Sequence, residues 1–252
     1  SNLENADLSG VVAIKANLEN ANLTEVNLSS TSMSGVDLSG ANLAGADLEG
    51  RNLAKVDLEN ANLSGANLKN ANLRSANLSG VVAVKANLEN ANLTGVNLSS
   101  TSMSGVDLSG ANLTGANLEG RNLAKVDLEN ANLSGANLKN SNLENADLSG
   151  VVAIKANLEN ANLTEVNLSS TSMSGVDLSG ANLAGADLEG RNLAKVDLEN
   201  ANLSGANLKN ANLRSANLSG VVAVKANLEN ANLTGVNLSS TSMSGVDLSG
   251  AN

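Results

Sequence analysis

An apolar side chain, mostly Leu, returns at every fifth residue of this chain, from Leu3 to Leu248, and mostly small or polar residues fill the places between. Written in fives, the sequence begins SNLEN ADLSG VVAIK ANLEN ANLTE VNLSS TSMSG. The third place is Leu in 42 of 50 complete pentads, with Ala or Met in the rest (Ala13, Met33 and their repeats), and no Leu occurs elsewhere. A period of five is neither the 3.6 of a helix nor the 2.0 of an ordinary strand. A chain that buries one large apolar residue in five must turn at every repeat. The pattern predicts a solenoid, with function carried by a repetitive surface rather than a pocket.

The remaining places fit that reading. Asn dominates the second place, where outward amides can bond from coil to coil. Gly or Asn often fills the fifth, tolerating the unusual backbone angles of a corner. Burying a Leu contributes roughly 1.5–3 kcal/mol, against about 1–2 kcal/mol of backbone ordering per residue. Stability must therefore come from stacking many coils and from the hydrogen bonds between them.

The consensus A-(N/D)-L-x-x, as in Ala21-Asn22-Leu23-Thr24-Glu25 and Ala46-Asp47-Leu48-Glu49-Gly50, resembles the pentapeptide-repeat family over the whole chain. The resemblance implies an all-β fold: a right-handed quadrilateral parallel β-helix with one pentad per side and twenty residues per coil. The first and third residues of each pentad would then point inward and the others outward or to the corners. A narrow square bore needs a small residue beside each Leu, which suits the Ala, Val, Ser and Thr of the first place. At the spacing of neighbouring strands, about 4.8 Å, the chain makes about 12.6 coils and a rod roughly 60 Å long. Residues 1–252 are expected to form one continuous domain, because a solenoid core grows in length rather than width.

Composition narrows the chemistry. The chain has no His, Cys, Tyr, Trp, Phe or Pro, so thiol nucleophiles, His general bases and Cys/His metal sites are absent. Ser, Lys and carboxylates recur in every unit, which is wrong for a unique catalytic centre. No catalytic, cofactor-binding or metal-binding residue is expected, and the chain reads as no enzyme. The longest run of apolar residues, Val11-Val12-Ala13-Ile14, is too short to span a membrane. Without aromatic residues to stack on bases, and with a net charge of −10, nucleic-acid binding is not expected. The chain begins without Met and ends inside a pentad at Ala251-Asn252, and neither end carries a polar cap. A segment of a longer array, or an end-to-end stack of copies, is the corresponding expectation.

A longer repeat is superimposed on the short one. Residues 141–252 are identical to 1–112, and 71–140 repeat 1–70 with few changes, such as Glu25 to Gly95 and Ile14 to Val84. The units are thus 1–70, 71–140, 141–210 and a partial 211–252. Seventy residues make three and a half coils of twenty, so each unit presents its features on the side opposite the previous one. Val11–Lys15, Thr31–Gly35 and Arg51–Lys55 would stack on one side, and Val81–Lys85, Thr101–Gly105 and Arg121–Lys125 on the other. The candidate lateral contact is Val12, Ile14, Lys15, Ser32, Arg51, Asn52 and Lys55, with Val82, Val84, Lys85, Arg121 and Lys125 as its opposite counterpart. The competing explanation is that tandem duplication copied harmless deviations. Arg51 occupies a place that should point into the bore, where an unpaired guanidinium would cost several kcal/mol. It is expected to swing out at the corner and lie along the surface; an internal polar relay is the alternative. Met33 beside Ala13 reads as a flexible side chain filling the gap left by a small one.

Function then divides three ways. The leading expectation is a stiff structural solenoid, forming a filament by end-to-end continuation and lateral self-association, extracellular or at the cell surface; otherwise a cytoplasmic location is expected. The alternative implied by the family is an acidic DNA mimic acting on a type II topoisomerase. Duplex DNA carries roughly 35 charges over such a length, whereas this chain has net −10 and its acids are interrupted by Lys15, Arg51 and Lys55. A third possibility is an interaction module of a larger protein with an unknown protein partner. Ice binding is disfavoured because Thr24, Thr31, Thr94, Thr101 and Thr114 form no single column.

Overall fold

The computed structural model describes residues 1–252 and contains no helix. Each pentad adopts the same local structure: a bridging residue in the second place and a turn over the fourth and fifth. The turn closes through a backbone bond from the next first-place N–H to the third-place carbonyl, as from Ala6 to Leu3 at 3.0 Å. Every fifth-place residue except Ser100 has φ between 53° and 73°. A positive φ at the third residue of a β-turn is the signature of type II, which explains why Gly and Asn are common there. Lys15, Glu25 and Ser30 adopt it too, against their intrinsic preference.

Turns four to a coil bring residue i beside residue i+20. The parallel bridges run Asn2 to Asn22 to Asn42, Asp7 to Asn27 to Asp47, and onward at the same interval to Asp247. Three backbone bonds join stacked pentads. Leu23 and Glu25 donate forward to Asn42 and Ala44, both at 2.7 Å, and Asn42 donates back to Ala21 at 2.9 Å. The second-place amides form a parallel ladder outside, with Asn22 Nδ2 donating to Asn2 Oδ1 and Asn62 Nδ2 to Asn42 Oδ1, both at 3.0 Å. The same Oδ1 also caps the turn, accepting from the fourth-place N–H, as Asn62 does from Ser64.

First and third places fill one continuous apolar core that runs the length of the chain from Ala21 to Ala231. Met33, Met103 and Met173 are buried beside the short Ala side chains of the third-place column. Around Ala83 and Met103 a small cavity of about 20 Å³ remains, lined by apolar side chains and Thr101. The buried first-place threonines are satisfied by backbone: Thr101 Oγ1 donates to the Leu98 carbonyl at 2.7 Å. Ser141 is the exception, its buried hydroxyl having no partner.

Candidate functional site

The i-to-i+20 pairing sorts the pentads into four stacked faces. The first begins at Ser1, Ala21 and Ala41; the second at Ala6, Val26 and Ala46; the third at Val11, Thr31 and Arg51; the fourth at Ala16, Val36 and Val56. Val12, Ile14, Lys15, Ser32, Arg51, Asn52 and Lys55 all fall on the third face. Val82, Val84, Lys85, Arg121 and Lys125 fall on the first. Val12 and Ile14 are 71% and 52% exposed, Val82 is 39% exposed, and Val84 is half-buried. The lysines, Ser32 and Asn52 are exposed, and Arg51 and Arg121 are half-buried.

Charge is partitioned sharply among these faces. The third carries eight Lys and Arg residues and no carboxylate along its whole length. The second carries twelve carboxylates against Lys69 and Lys209, and the fourth nine against Lys139. The first is balanced, with four of each sign. The three ion pairs lie on the acidic faces: Lys69–Glu89 at 2.7 Å, and Lys139–Glu159 and Lys209–Glu229 at 2.8 Å. Each glutamate holds its lysine's pKa above the ordinary value, first by hydrogen bonding and then by its charge. No cation of the third face has a carboxylate within ion-pair distance.

Arg51 leaves the bore. Its Nε donates to the Glu49 carbonyl at 2.9 Å and its Nη1 reaches the Thr31 carbonyl at 3.5 Å. Arg121 makes the same turn outward, with Nη1 only 2.9 Å from the Thr101 carbonyl. That carbonyl is the one to which the Asn122 N–H would donate in the regular ladder. The guanidinium therefore lies in the space between two coils, and the backbone ladder opens around it. No bridge joins Ser32 to Asn52, Ser102 to Asn122 or Ser172 to Asn192, although each column resumes on the next coil. The N–H groups of Met103, Gly105 and Asn122 have no backbone partner, nor do their counterparts at Met33, Gly35 and Asn52 or at Met173, Gly175 and Asn192. A cleft of about 300 Å³ opens there, lined by Ser100, Thr101, Ser102, Met103, Ser104, Arg121 and Asn122. One further interruption, between Asn77 and Asn97, has no equivalent at the identical pair Asn217 and Asn237, and nothing in the sequence explains it.

The sequence reading placed Arg51 and Asn52 on this face but did not find the gap beside them. Its signal was available: a long charged residue in a core place, repeated at Arg121 and Arg191, always twenty residues after a Thr-Ser-Met-Ser-Gly pentad. Arg74, exposed one coil beyond Arg51, adds a further cation to the third face that its place in the pattern does not mark out. No group of three or more carboxylates is placed to hold a metal ion, and no helix is long and apolar enough to cross a membrane.

Comparison with known proteins places this architecture. The family model described as pentapeptide repeats matches eight times, from residues 1–40 through 216–252. The chain is similar to HetL, a pentapeptide-repeat protein involved in heterocyst differentiation regulation from the cyanobacterium Nostoc sp. strain PCC 7120. The identity is 31%, over 99% of this chain and 88% of that one, with a TM-score of 0.24. A pentapeptide-repeat protein of the Arabidopsis thaliana thylakoid lumen is 32% identical over 48% of this chain and 70% of its own, with a TM-score of 0.23. QnrB1, a plasmid-mediated fluoroquinolone resistance protein, is 16% identical over 80% of this chain and 88% of its own, with a TM-score of 0.41. Comparison with curated protein sequences gives no match. With its repeats matched from the first residue to the last, the chain belongs to the pentapeptide-repeat family.

Proposed function

We propose that this chain is a non-enzymatic structural rod, a single right-handed, four-sided tube of about 12.6 coils of twenty residues, assembled from 70-residue units. Its role is to supply length, stiffness and evenly spaced contacts in a filament. The observation that carries this reading is the equivalence of the coil interfaces. The forward donors of one coil, Leu23 and Glu25, and the backward donor of the next, Asn42, recur between most stacked pentads. One end of any stretch of coils is therefore complementary to the other end of any other stretch. Such a head-to-tail contact adds copies along a line without closing on itself.

Lateral association is assigned to the two patches, Val12, Ile14, Lys15, Ser32, Arg51, Asn52 and Lys55 on the third face and Val82, Val84, Lys85, Arg121 and Lys125 on the first. A second copy is a suitable partner because its second and fourth faces present the carboxylates that the third face lacks. The same distribution disfavours a DNA mimic, since one whole face is cationic.

Electron microscopy and small-angle scattering on purified protein test this reading. Rods of about 60 Å, the length expected from strand spacing, and their multiples are expected, with side-by-side pairs dispersing at high salt. Particles that remain short, single rods at every concentration would overturn the filament. A compact scattering profile would overturn the tube itself.

A further inference from the structure

The interruptions of the ladder concentrate hydrogen-bond donors and positive charge at three equivalent places. At the one between Thr101–Gly105 and Arg121–Asn122, the N–H groups of Met103, Gly105 and Asn122 lack backbone acceptors. Arg121 stands in the gap with its Nη1 on the Thr101 carbonyl. Lys85 precedes Gly105 by one coil, its stem about 3.5 Å from where a Gly105 β-carbon would stand, and Lys125 follows it by one coil. The Ser100, Ser102 and Ser104 side chains line the same cleft of about 300 Å³.

The acid nearest in sequence is turned away. Glu119, two residues before Arg121, gives that arginine only its backbone carbonyl, while its Oε2 accepts from Asn137 Nδ2 on the following coil at 3.2 Å. Glu49 and Glu189 are likewise held by Asn67 and Asn207. The three arginines are therefore left without a carboxylate partner. On the third face no carboxylate is present at all, and on the first, Glu144 lies one coil beyond Arg121.

We propose that each interruption is a binding site for inorganic phosphate, three per chain and 70 residues apart. Amides directed at an opening between coils, with a guanidinium beside them, bind an oxyanion through charge-assisted hydrogen bonds. The gap also frees an acceptor, because the Asn122 carbonyl lacks the Met103 N–H that the regular ladder would bring to it. Hydrogen phosphate satisfies both sets, accepting from the amides and guanidinium and donating its own O–H to that carbonyl. Sulfate has the same shape and charge but no proton to donate, so it fits less well. The inference stands apart from the filament reading, because it concerns sites within one chain.

Isothermal titration of the full chain with inorganic phosphate, sulfate, glycerol phosphate and chloride tests it. Saturable phosphate binding is expected at about three per chain, on the order of tenfold tighter than sulfate or the phosphate ester, whose dianion carries no O–H on phosphorus at neutral pH. A triple variant Arg51→Gln, Arg121→Gln, Arg191→Gln keeps bulk in each gap and is expected to lose on the order of tenfold in affinity, with an unchanged circular dichroism spectrum. The ladder-closing variant Arg51→Ala, Arg121→Ala, Arg191→Ala is expected to bind none. Absence of saturable heat, sulfate or glycerol phosphate binding as well as phosphate, or full binding by the Ala variant would each overturn the assignment.

Discussion

The side-chain amide of Asn20 occupies the space that a β-carbon on Gly40, one coil further on, would need. The same overlap recurs between Asn60 and Gly80, Asn90 and Gly110, and Asn130 and Gly150. Gly115, with the same positive φ, faces open space. Two costs are thereby separated. Gly115→Ala should lose about 1–2 kcal/mol, the penalty of a side chain in left-handed backbone. Gly40→Ala should lose more, because Asn20 must also move. Denaturant unfolding of the two variants measures the difference, and equal midpoints would show that Asn20 yields freely.

Ser141, stacked between Arg121 and Ala161 in its first-place column, carries a buried hydroxyl that finds no acceptor. The equivalent positions one unit away are Ala71 and Ala211, both buried. Ser141→Ala should therefore stabilise the chain by about 1–3 kcal/mol, the cost of an unsatisfied buried polar group. A thermal midpoint that falls in this variant would mean that the hydroxyl is hydrated or paired.

Arg121 and its two counterparts trade ladder bonds for a surface guanidinium. Replacing Arg51, Arg121 and Arg191 by Ala restores the residue that most first places carry and lets the coils close. Each regained backbone bond contributes about 0.5–1.5 kcal/mol, so the triple variant should melt higher than the parent. Hydrogen exchange should slow at Met103, Gly105 and Asn122. Exchange that stays fast at these amides would place the cause of the gap in the Thr-Ser-Met-Ser-Gly pentads instead.

Asp37 accepts hydrogen bonds from the Ser39 hydroxyl at 2.7 Å and the Ser39 N–H at 3.0 Å, which hold its pKa below the usual carboxylate value. Ser9 does the same to Asp7, and the backbone and side chain of Ser249 do so to Asp247. Depressed carboxylates contribute stability that is present above the unfolded value of 3.8 and lost as pH falls through the lower folded one. The raised pKa values of Lys69, Lys139 and Lys209 work in the opposite sense, with their contribution complete below 10.5 and lost as pH rises beyond it. Melting temperature should decline below about pH 4 and again in strong alkali. Ser39→Ala should shrink the acid-side decline, and an unchanged acid limb would remove this pair from the account.

Leu113 is fully buried in the middle of the core column. Leu113→Ala should cost about 2–5 kcal/mol, because rigid coils on both sides cannot collapse into the cavity. Calorimetry would show this as a lower midpoint, and a loss under 1 kcal/mol, below that range, would mean that neighbouring coils relax to fill it.

Much of this molecule is local and hence legible in the linear pattern. Leu in the third place, small residues in the first and Gly or Asn in the fifth each satisfy a constraint within five residues. Burial of Leu23 beside Ala21 and the positive φ of Asn20 follow from that pattern, as does the outward Asn ladder from Asn2 to Asn22. The outward swing of Arg51 was readable too, because a guanidinium cannot be left unpaired among leucines.

Winding decides what remains, because it chooses which pentads become neighbours. Pairing at an interval of twenty sets Asn20 over Gly40, gathers the cations of the third face into a column free of carboxylates, and lays Arg121 against the carbonyl of Thr101. These pairs are about twenty residues apart, and nothing in the composition of either member specifies the other. Whether a long charged side chain merely lies on the surface or holds two coils apart is a matter of the room between stacked backbones, and only the assembled coil sets that distance.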